Sequence, residues 1–255
     1  MDSVGMDAAA FLRAAEALPL EPDPRALLGS AGALVLAPHP DDESIGCGGL
    51  IAAASVAGLP VRVVVVSDGT GSHPGLPPER IRAVRERETL AAAAALGLPP
   101  EAVHFLRLPD RGVPAGGPDF AAAVETILGL AQPAPDAVLC TWRHDPHCDH
   151  AASFAIAEAV VRRLPGVRLL AYPVWGWAFA HPIAGFPLPP APMLPAAPRG
   201  RRFGIAPVLE AKRRAIAAHV SQHSDRMGDA GAFQLPPEAI ALALRDFELL
   251  LEERP

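Results

Sequence analysis

Ala33-Leu34-Val35-Leu36-Ala37-Pro38-His39-Pro40-Asp41-Asp42-Glu43 decides how the rest of the chain is read. Its first half is a short apolar run of the kind that forms a buried strand. The small-residue segment that follows, Ile45 to Gly58, reads as a helix packed closely on a sheet. His39, Asp41 and Asp42 are therefore predicted on a loop at the carboxyl end of a strand, where open α/β sheets bind ligands. Pro40-Asp41-Asp42 also suits a plain turn whose carboxylates cap the next helix. A second cluster weighs against the plain turn. His144-Asp145-Pro146-His147-Cys148-Asp149-His150 also follows an apolar run, Ala137 to Cys140, and precedes an alanine-rich helical pattern. Two such loops can converge on one side of a parallel sheet. A His and an Asp from one with a His from the other make the three-ligand set of a catalytic zinc site.

Further apolar runs place strands at 61–67, 103–108, 136–141 and 167–174. Helices are predicted over 7–19, 46–58, 79–97, 118–131 and 208–221, with a last amphipathic, structural helix over 238–250. Residues 201–207 read as one more strand, at an edge. The glycines at 46, 48 and 49 suit either helix-to-strand packing or close approach to a ligand. The result is an α/β chain, a Rossmann-like three-layer α/β/α sandwich with a mostly parallel sheet, in one domain over 1–255. No internal repeat is found.

Composition narrows the function. Half of the 255 residues are hydrophobic, which excludes a disordered chain. The net charge of −6 and the scattered arginines argue against nucleic acid as partner. No basic, apolar leader and no membrane span is seen. Three cysteines without framework spacing fit a cytoplasmic protein. Cys47 and Cys140 read as small core residues.

The two loops carry a resemblance. Pro38-His39-Pro40-Asp41-Asp42-Glu43 and His147-Cys148-Asp149-His150 resemble the paired boxes of the PIG-L/LmbE-like zinc-dependent N-deacetylases, Ala-His-Pro-Asp-Asp-Glu and His-Pro-Asp-His. Pro38 and Cys148 depart from that pattern without touching a polar group. The resemblance covers about residues 32–225. It implies one zinc per chain, or another divalent ion, held by His39, Asp42 and His150. It implies that Asp41 takes a proton from water, that protonated His147 stabilises the oxyanion, and that Asp41 or His147 protonates the leaving amine. Asp149 would orient His147 or His150. His144 and Asp145 have less definite places. Some family members carry a tyrosine near the second box; here Asp145 stands there, and the only tyrosine, Tyr172, is on another strand.

The same comparison suggests a site-lining role for Asp110, which equally suits a turn, and brings Arg85, with Arg82 as rival, toward the site. Asp68 fits either a site carboxylate or an Asp-Gly turn. Lys212 and Gln222 would help hold the loops. His73 and His181 read as non-ligands, His73 on the surface. Trp175 and Trp177 fit either a wall for a sugar ring or core packing. The proline-rich stretch 183–198 is a stiff loop, either a linker or a part of the substrate wall. The substrate implied is a small N-acylated amino sugar or glycoconjugate, with a homo-oligomer left open. The alternatives are a non-catalytic sugar- or nucleotide-binding module without metal, and a metal-dependent phosphoesterase with two ions.

Overall fold

The computed structural model describes residues 5–253. Residues 1–4 and 254–255 of the domain expected over 1–255 lie outside them. In chain order the elements are β1 (Met6–Asp7), α1 (Ala8–Ala15), β2 (Leu20–Glu21), α2 (Pro24–Leu28), β3 (Ala33–Ala37), α3 (Asp42–Val56), β4 (Val61–Ser67), α4 (Pro78–Ala95), β5 (Val103–Leu108) and α5 (Gly117–Leu130). They continue as β6 (Ala137–Thr141), α6 (Cys148–Val161), β7 (Arg168–Tyr172), α7 (Trp177–Ala180), β8 (Met193–Leu194), β9 (Gly200–Gly204), α8 (Leu209–Ala218), α9 (Pro237–Ala243) and β10 (Phe247–Glu253).

Eight strands form one sheet in the order β2-β9-β10-β7-β6-β3-β4-β5. The five from β7 to β5 run parallel, while β10 is antiparallel to both β7 and β9. Helices cover both faces, as expected for parallel strands buried on two sides. Alternation along the strands divides the core in two. Leu34, Leu36, Val64, Val66, Val138 and Cys140 face α1, α5 and α6. Val35, Val63, Val65 and Leu139 face α2, α3, α4 and α8. Each fully buried Val or Leu contributes about 1.5–3 kcal/mol, so the sheet centre is the stable platform of the molecule.

The chain leaves β3 to build β4 and β5 on one side and returns to place β6 on the other. The crevice of such a sheet opens between β3 and β6, at their carboxyl ends. Leu36 pairs with Cys140, so the two strands end level and their loops face each other.

Three expectations need correction. The predicted helix over 238–250 stops at Ala243, and Phe247–Glu253 is an interior strand. Leu249, Leu250 and Leu251 are buried on alternate faces of the sheet, a pattern that a helical reading of an apolar run cannot distinguish. β9 is not the edge, because β2 lies outside it. The helix after the first loop begins at Asp42 rather than at 46 and is broken at Cys47 (φ −141°). Its glycines serve packing: a Cβ on Gly46 would lie 2.1 Å from the Tyr172 ring, and one on Gly49 2.4 Å from Ile205.

Glu248 on β10 explains how the broken helix is tolerated. Beyond the break, Gly49 and Leu50 donate backbone N–H bonds to its carboxylate, at 2.6 and 2.8 Å. Lys212 Nζ donates to the same carboxylate at 2.6 Å and balances its charge. Lys212 therefore braces the back of α3 and does not reach the loops directly.

Candidate metal centre and active site

The loop after β3 presents two adjacent carboxylates in opposite senses. Asp42 Oδ2 accepts the His39 backbone N–H at 2.9 Å. The same oxygen lies 3.2 Å from His39 Nδ1 and 3.2 Å from His150 Nε2. Asp41 turns away, and its Oδ2 accepts from Arg85 Nη2 at 3.0 Å. Arg85 also donates to the carbonyls of Pro40 and Gly69, all of it buried. Asp41 has φ 133°, a costly conformation for a residue with a side chain. Its N–H donates to Glu43 Oε2, and Glu43 in turn meets Ser44 and His219. Burial raises the Asp41 carboxyl, Arg85 opposes, Asp42 adds to the rise, and the result is about 6. Asp42 is held far below the usual carboxylate range: burial opposes this, and His150 and His39 outweigh it.

The loop after β6 is built from backbone bonds. Asp145 is buried and accepts N–H bonds from Val174, Trp175 and Gly176, at 2.9, 3.1 and 2.8 Å. Its Oδ2 also lies 3.0 Å from His150 Nδ1. Asp145 thus does for His150 what the sequence motif assigns to Asp149. Asp149 instead lies beside His39, with 3.2 Å from its Oδ2 to His39 Nε2, and accepts N–H bonds from Arg111 and Val113. Tyr172 donates to the Leu36 carbonyl inside the sheet, away from the site.

His147 caps α6. Its Nδ1 accepts the Asp149 N–H, which leaves the proton on Nε2. Burial and the neighbouring His39 and His150 lower its pKa to about 4. The expected protonated His147 is therefore replaced by a neutral imidazole with one N–H to donate.

These residues fit a cation. His150 Nε2 is buried and has no hydrogen-bond partner, although Asp42 Oδ2 is 3.2 Å away. At that distance without bonding geometry, the two atoms do not satisfy each other. Ligands about 2.0–2.1 Å from a tetrahedral ion stand about 3.3 Å apart, close to the spacing of Asp42 Oδ2 from each histidine. The groups whose ligand atoms all lie within 4.8 Å of one another are His39, His147 and His150, and His39, Asp110, His147 and Asp149; Asp42 belongs to neither and approaches the two histidines pairwise. In the second set Asp149 already accepts two backbone N–H bonds and Asp110 one, from Gly71.

A cavity opens over this cluster. It is lined by His39, Asp41, Asp42, Arg85, Asp110 and His147, with Ser72, Gln222 and the aromatic rings of Trp175, Phe186 and Phe233. Trp175 stacks on Phe186 at 4.8 Å and meets Phe233 edge-on at 5.6 Å. Phe186 belongs to the proline-rich loop, so that loop does reach the cavity wall. Sequence reasoning missed Phe186, Phe233 and Arg111. The loop aromatics carry no local pattern, while Arg111 sits in the loop that Asp110 alone had marked.

Other expected site residues lie elsewhere. Trp177 is core, with Arg245 at 3.9 Å over its ring. His144 packs on Trp142 at 5.0 Å. Asp68 holds Thr70 and pairs with Arg82, so Arg85 rather than Arg82 reaches the cavity. His73 is buried, not on the surface, because the 3-10 turn Thr70–Ser72 folds it inward, where Ser72 Oγ is 2.9 Å from its Nδ1. His181 lies 2.7 Å from Glu16. Cys148 is exposed, and Cys47 and Cys140 are buried.

Residues 34–161 match the model of the PIG-L family, described as GlcNAc-PI de-N-acetylase. The chain belongs to the PIG-L family. No curated protein matches it. Among solved structures it is similar to the N,N'-diacetylchitobiose deacetylase of Pyrococcus horikoshii, at 23% identity and TM-score 0.59 over 82% of this chain and 76% of that one. It is also similar to the conserved protein TT1542 of Thermus thermophilus, at 26% identity and TM-score 0.59 over 83% and 84%. The 4-carboxy-2-hydroxymuconate hydratase GalB of Pseudomonas putida shares the fold at 17% identity and TM-score 0.57, over 88% and 96%. The LmbE-like fold of this PIG-L chain thus hosts more than one chemistry, and function has to be argued from the site.

Proposed function

We propose that this PIG-L chain is a metal-dependent amide hydrolase that removes an N-acetyl or other N-acyl group from a small amino-sugar conjugate. The observation that carries this reading is the buried Nε2 of His150, without a hydrogen-bond partner and facing Asp42 Oδ2, while Asp42 and the strained Asp41 line the cavity. His39, Asp42 and His150 hold one divalent ion, zinc by ligand type, with His150 fixed through Nδ1 by Asp145. When bound, such an ion supplies Lewis acidity toward an acyl oxygen and water.

Asp41 receives the proton of the attacking water. Its elevated pKa of about 6 keeps it ionised at neutral pH yet basic enough to take that proton. Arg85 holds the carboxylate in place through the exchange. His147 donates its Nε2 proton as a hydrogen bond to the oxygen that gains charge. Asp41, once protonated, is the group that returns the proton to the departing amine. Asp110 offers a polar contact, and Trp175 offers an apolar face to a sugar ring. We place the whole activity in one domain over 1–255, and the unpaired cysteines agree with a cytoplasmic setting. Among the described residues, no helix is long and apolar enough to cross a membrane.

The test is metal quantitation on the purified chain together with amine release from N-acetylglucosamine conjugates. One equivalent of metal with amine release supports the reading. Two equivalents with phosphoester cleavage point to a phosphoesterase. Ligand binding without metal or turnover points to a binding module, and water addition to an unsaturated acid without amidase activity points to a hydratase.

A further inference from the structure

Glu43 is buried in the first turn of α3, and it is not among the residues that line the cavity. The proposed chemistry gives it no task. Its Oε2 accepts the Asp41 N–H at 3.2 Å. Its Oε1 accepts the Ser44 hydroxyl at 2.8 Å and lies 3.4 Å from His219 Nε2. His219 ends α8 and is itself buried. Its Nε2 is also 3.2 Å from Ser44 Oγ, and its Nδ1 has no hydrogen-bond partner among the described residues. The polar contacts of this imidazole are therefore all directed at Glu43 and its neighbour.

Asp41 shows what such an arrangement can do. By position Asp41 is the N-cap of α3, and its carbonyl accepts the N–H groups of Ser44 and Ile45 at 3.0 and 2.9 Å. An N-cap aspartate normally turns its carboxylate onto the N–H groups of the first helical turn. Here the carboxylate makes no cap bond and points to Arg85 Nη2 instead. That direction goes with φ 133°, which a residue with a side chain keeps only where its surroundings enforce it. Glu43 is placed to enforce it. A relaxed φ would carry the Asp41 N–H away from Oε2 and leave a buried donor unpaired.

We infer that Glu43 is a positioning residue for the proposed reaction and that His219 aims it. Together they hold Asp41 in the conformation that turns its carboxylate from Asp42 toward Arg85 and the cavity. The inference rests on the amidohydrolase reading, in which Asp41 is the base. It gives α8 a part in catalysis through a side chain that does not touch substrate.

The test compares Glu43→Met, which fills the space without an acceptor, with Glu43→Gln, which keeps an amide oxygen for the Asp41 N–H. Each is made alone and together with Asp41→Asn, and followed by metal content, by amine release from an N-acetylglucosamine conjugate and by crystal structure. Glu43→Met should lower kcat by about 10²-fold, the order for a misplaced catalytic group, with KM and bound metal unchanged. Glu43→Gln should recover part of that loss. With Asp41→Asn already present there is no base left to position, so Glu43→Met should not lower the remaining rate further. His219→Leu should reproduce the pattern in smaller size, and it serves in place of Glu43→Met if that variant does not fold. An unchanged kcat, a parallel loss of metal, or an equal further loss beside Asp41→Asn overturns the inference. So does a crystal structure of Glu43→Met, or of His219→Leu in its place, with Asp41 still at positive φ against Arg85. If the wild type releases no amine while Asp41 swings away in the variant structure, the amidohydrolase reading fails and the hold on Asp41 stands.

Discussion

The loop after β3 is held by charge, and the loop after β6 by backbone amides. Asp41 is gripped by a buried arginine and sits in a strained conformation, and Asp42 lies between two imidazoles. Asp145, by contrast, rests in a cup of three successive N–H groups and passes that rigidity to His150. The first arrangement makes groups whose proton affinity is displaced, as a base requires. The second fixes the orientation of His150, the proposed ligand, through Asp145. Substitutions of the aspartates should therefore act differently, by chemistry at Asp41 and by metal affinity, through His150, at Asp145.

The largest effect is expected where the loops meet. His150→Ala or His39→Ala should abolish stoichiometric metal and reduce turnover to background, since a three-ligand site has no spare. Elemental analysis of the purified variants checks this, and full metal content in either would remove that residue from the ligand set. Next comes the pair of aspartates. Asp41→Asn should keep its metal and lower kcat by roughly 10²–10⁴. It should also erase the acidic limb of the pH–rate profile, which in the wild type falls as pH drops through about 6 because Asp41 gains its proton there. Asp42→Asn should instead lose metal, and the reverse pattern would exchange the two roles.

Asp145→Asn should be milder. Metal affinity should weaken by about 10–100-fold, the usual effect of removing the partner that orients a histidine ligand. Competition with a chelator measures it, and an unchanged affinity would reduce Asp145 to a loop brace. The smallest effect concerns the metal-free chain. Burial opposes the charge of His150, but Asp42 and Asp145 overcome it and lift its pKa to about 9. Because the folded pKa exceeds the unfolded value of about 6.5, this stabilisation is complete below pH about 6.5 and is lost as pH rises through about 9. Thermal unfolding of the metal-free chain should accordingly decline across that window by a few degrees. Metal takes the place of the proton and should flatten the decline. A slope that is the same with and without metal would show that His150 is not the group responsible.

Much of this site was legible because each part advertises itself locally. β3, β4, β5 and β6 are short β-branched or leucine-rich runs, and the polar residues crowd immediately after them. His39, Asp41, Asp42, His147 and His150 could be placed at one edge on that basis alone. What was not legible depends on partners distant in the chain. Trp175 and Trp177 look alike in sequence, but only Trp175 meets Phe186 and Phe233, while Trp177 is covered by Arg245 and Phe247. The identity of the carboxylate behind His150 depended on how the 174–176 segment folds over Asp145. The last strand was misread because Leu249-Leu250-Leu251 is apolar on both faces, and only the gap between β7 and β9 makes it a strand.

That last strand gives the site a timetable. Asp42 begins α3, and the second half of α3 relies on Glu248, 199 residues after Gly49, to accept its free amides. A domain generally folds as a unit, and synthesis delivers its amino-terminal elements first. The five parallel strands are complete by Tyr172, yet the helix that carries Asp42 stays uncapped until β10 has been made and slotted between β7 and β9. A growing chain can therefore finish the support of α3 and of the proposed metal site only with the closing strand, and partial products of synthesis would carry the motif without its final brace.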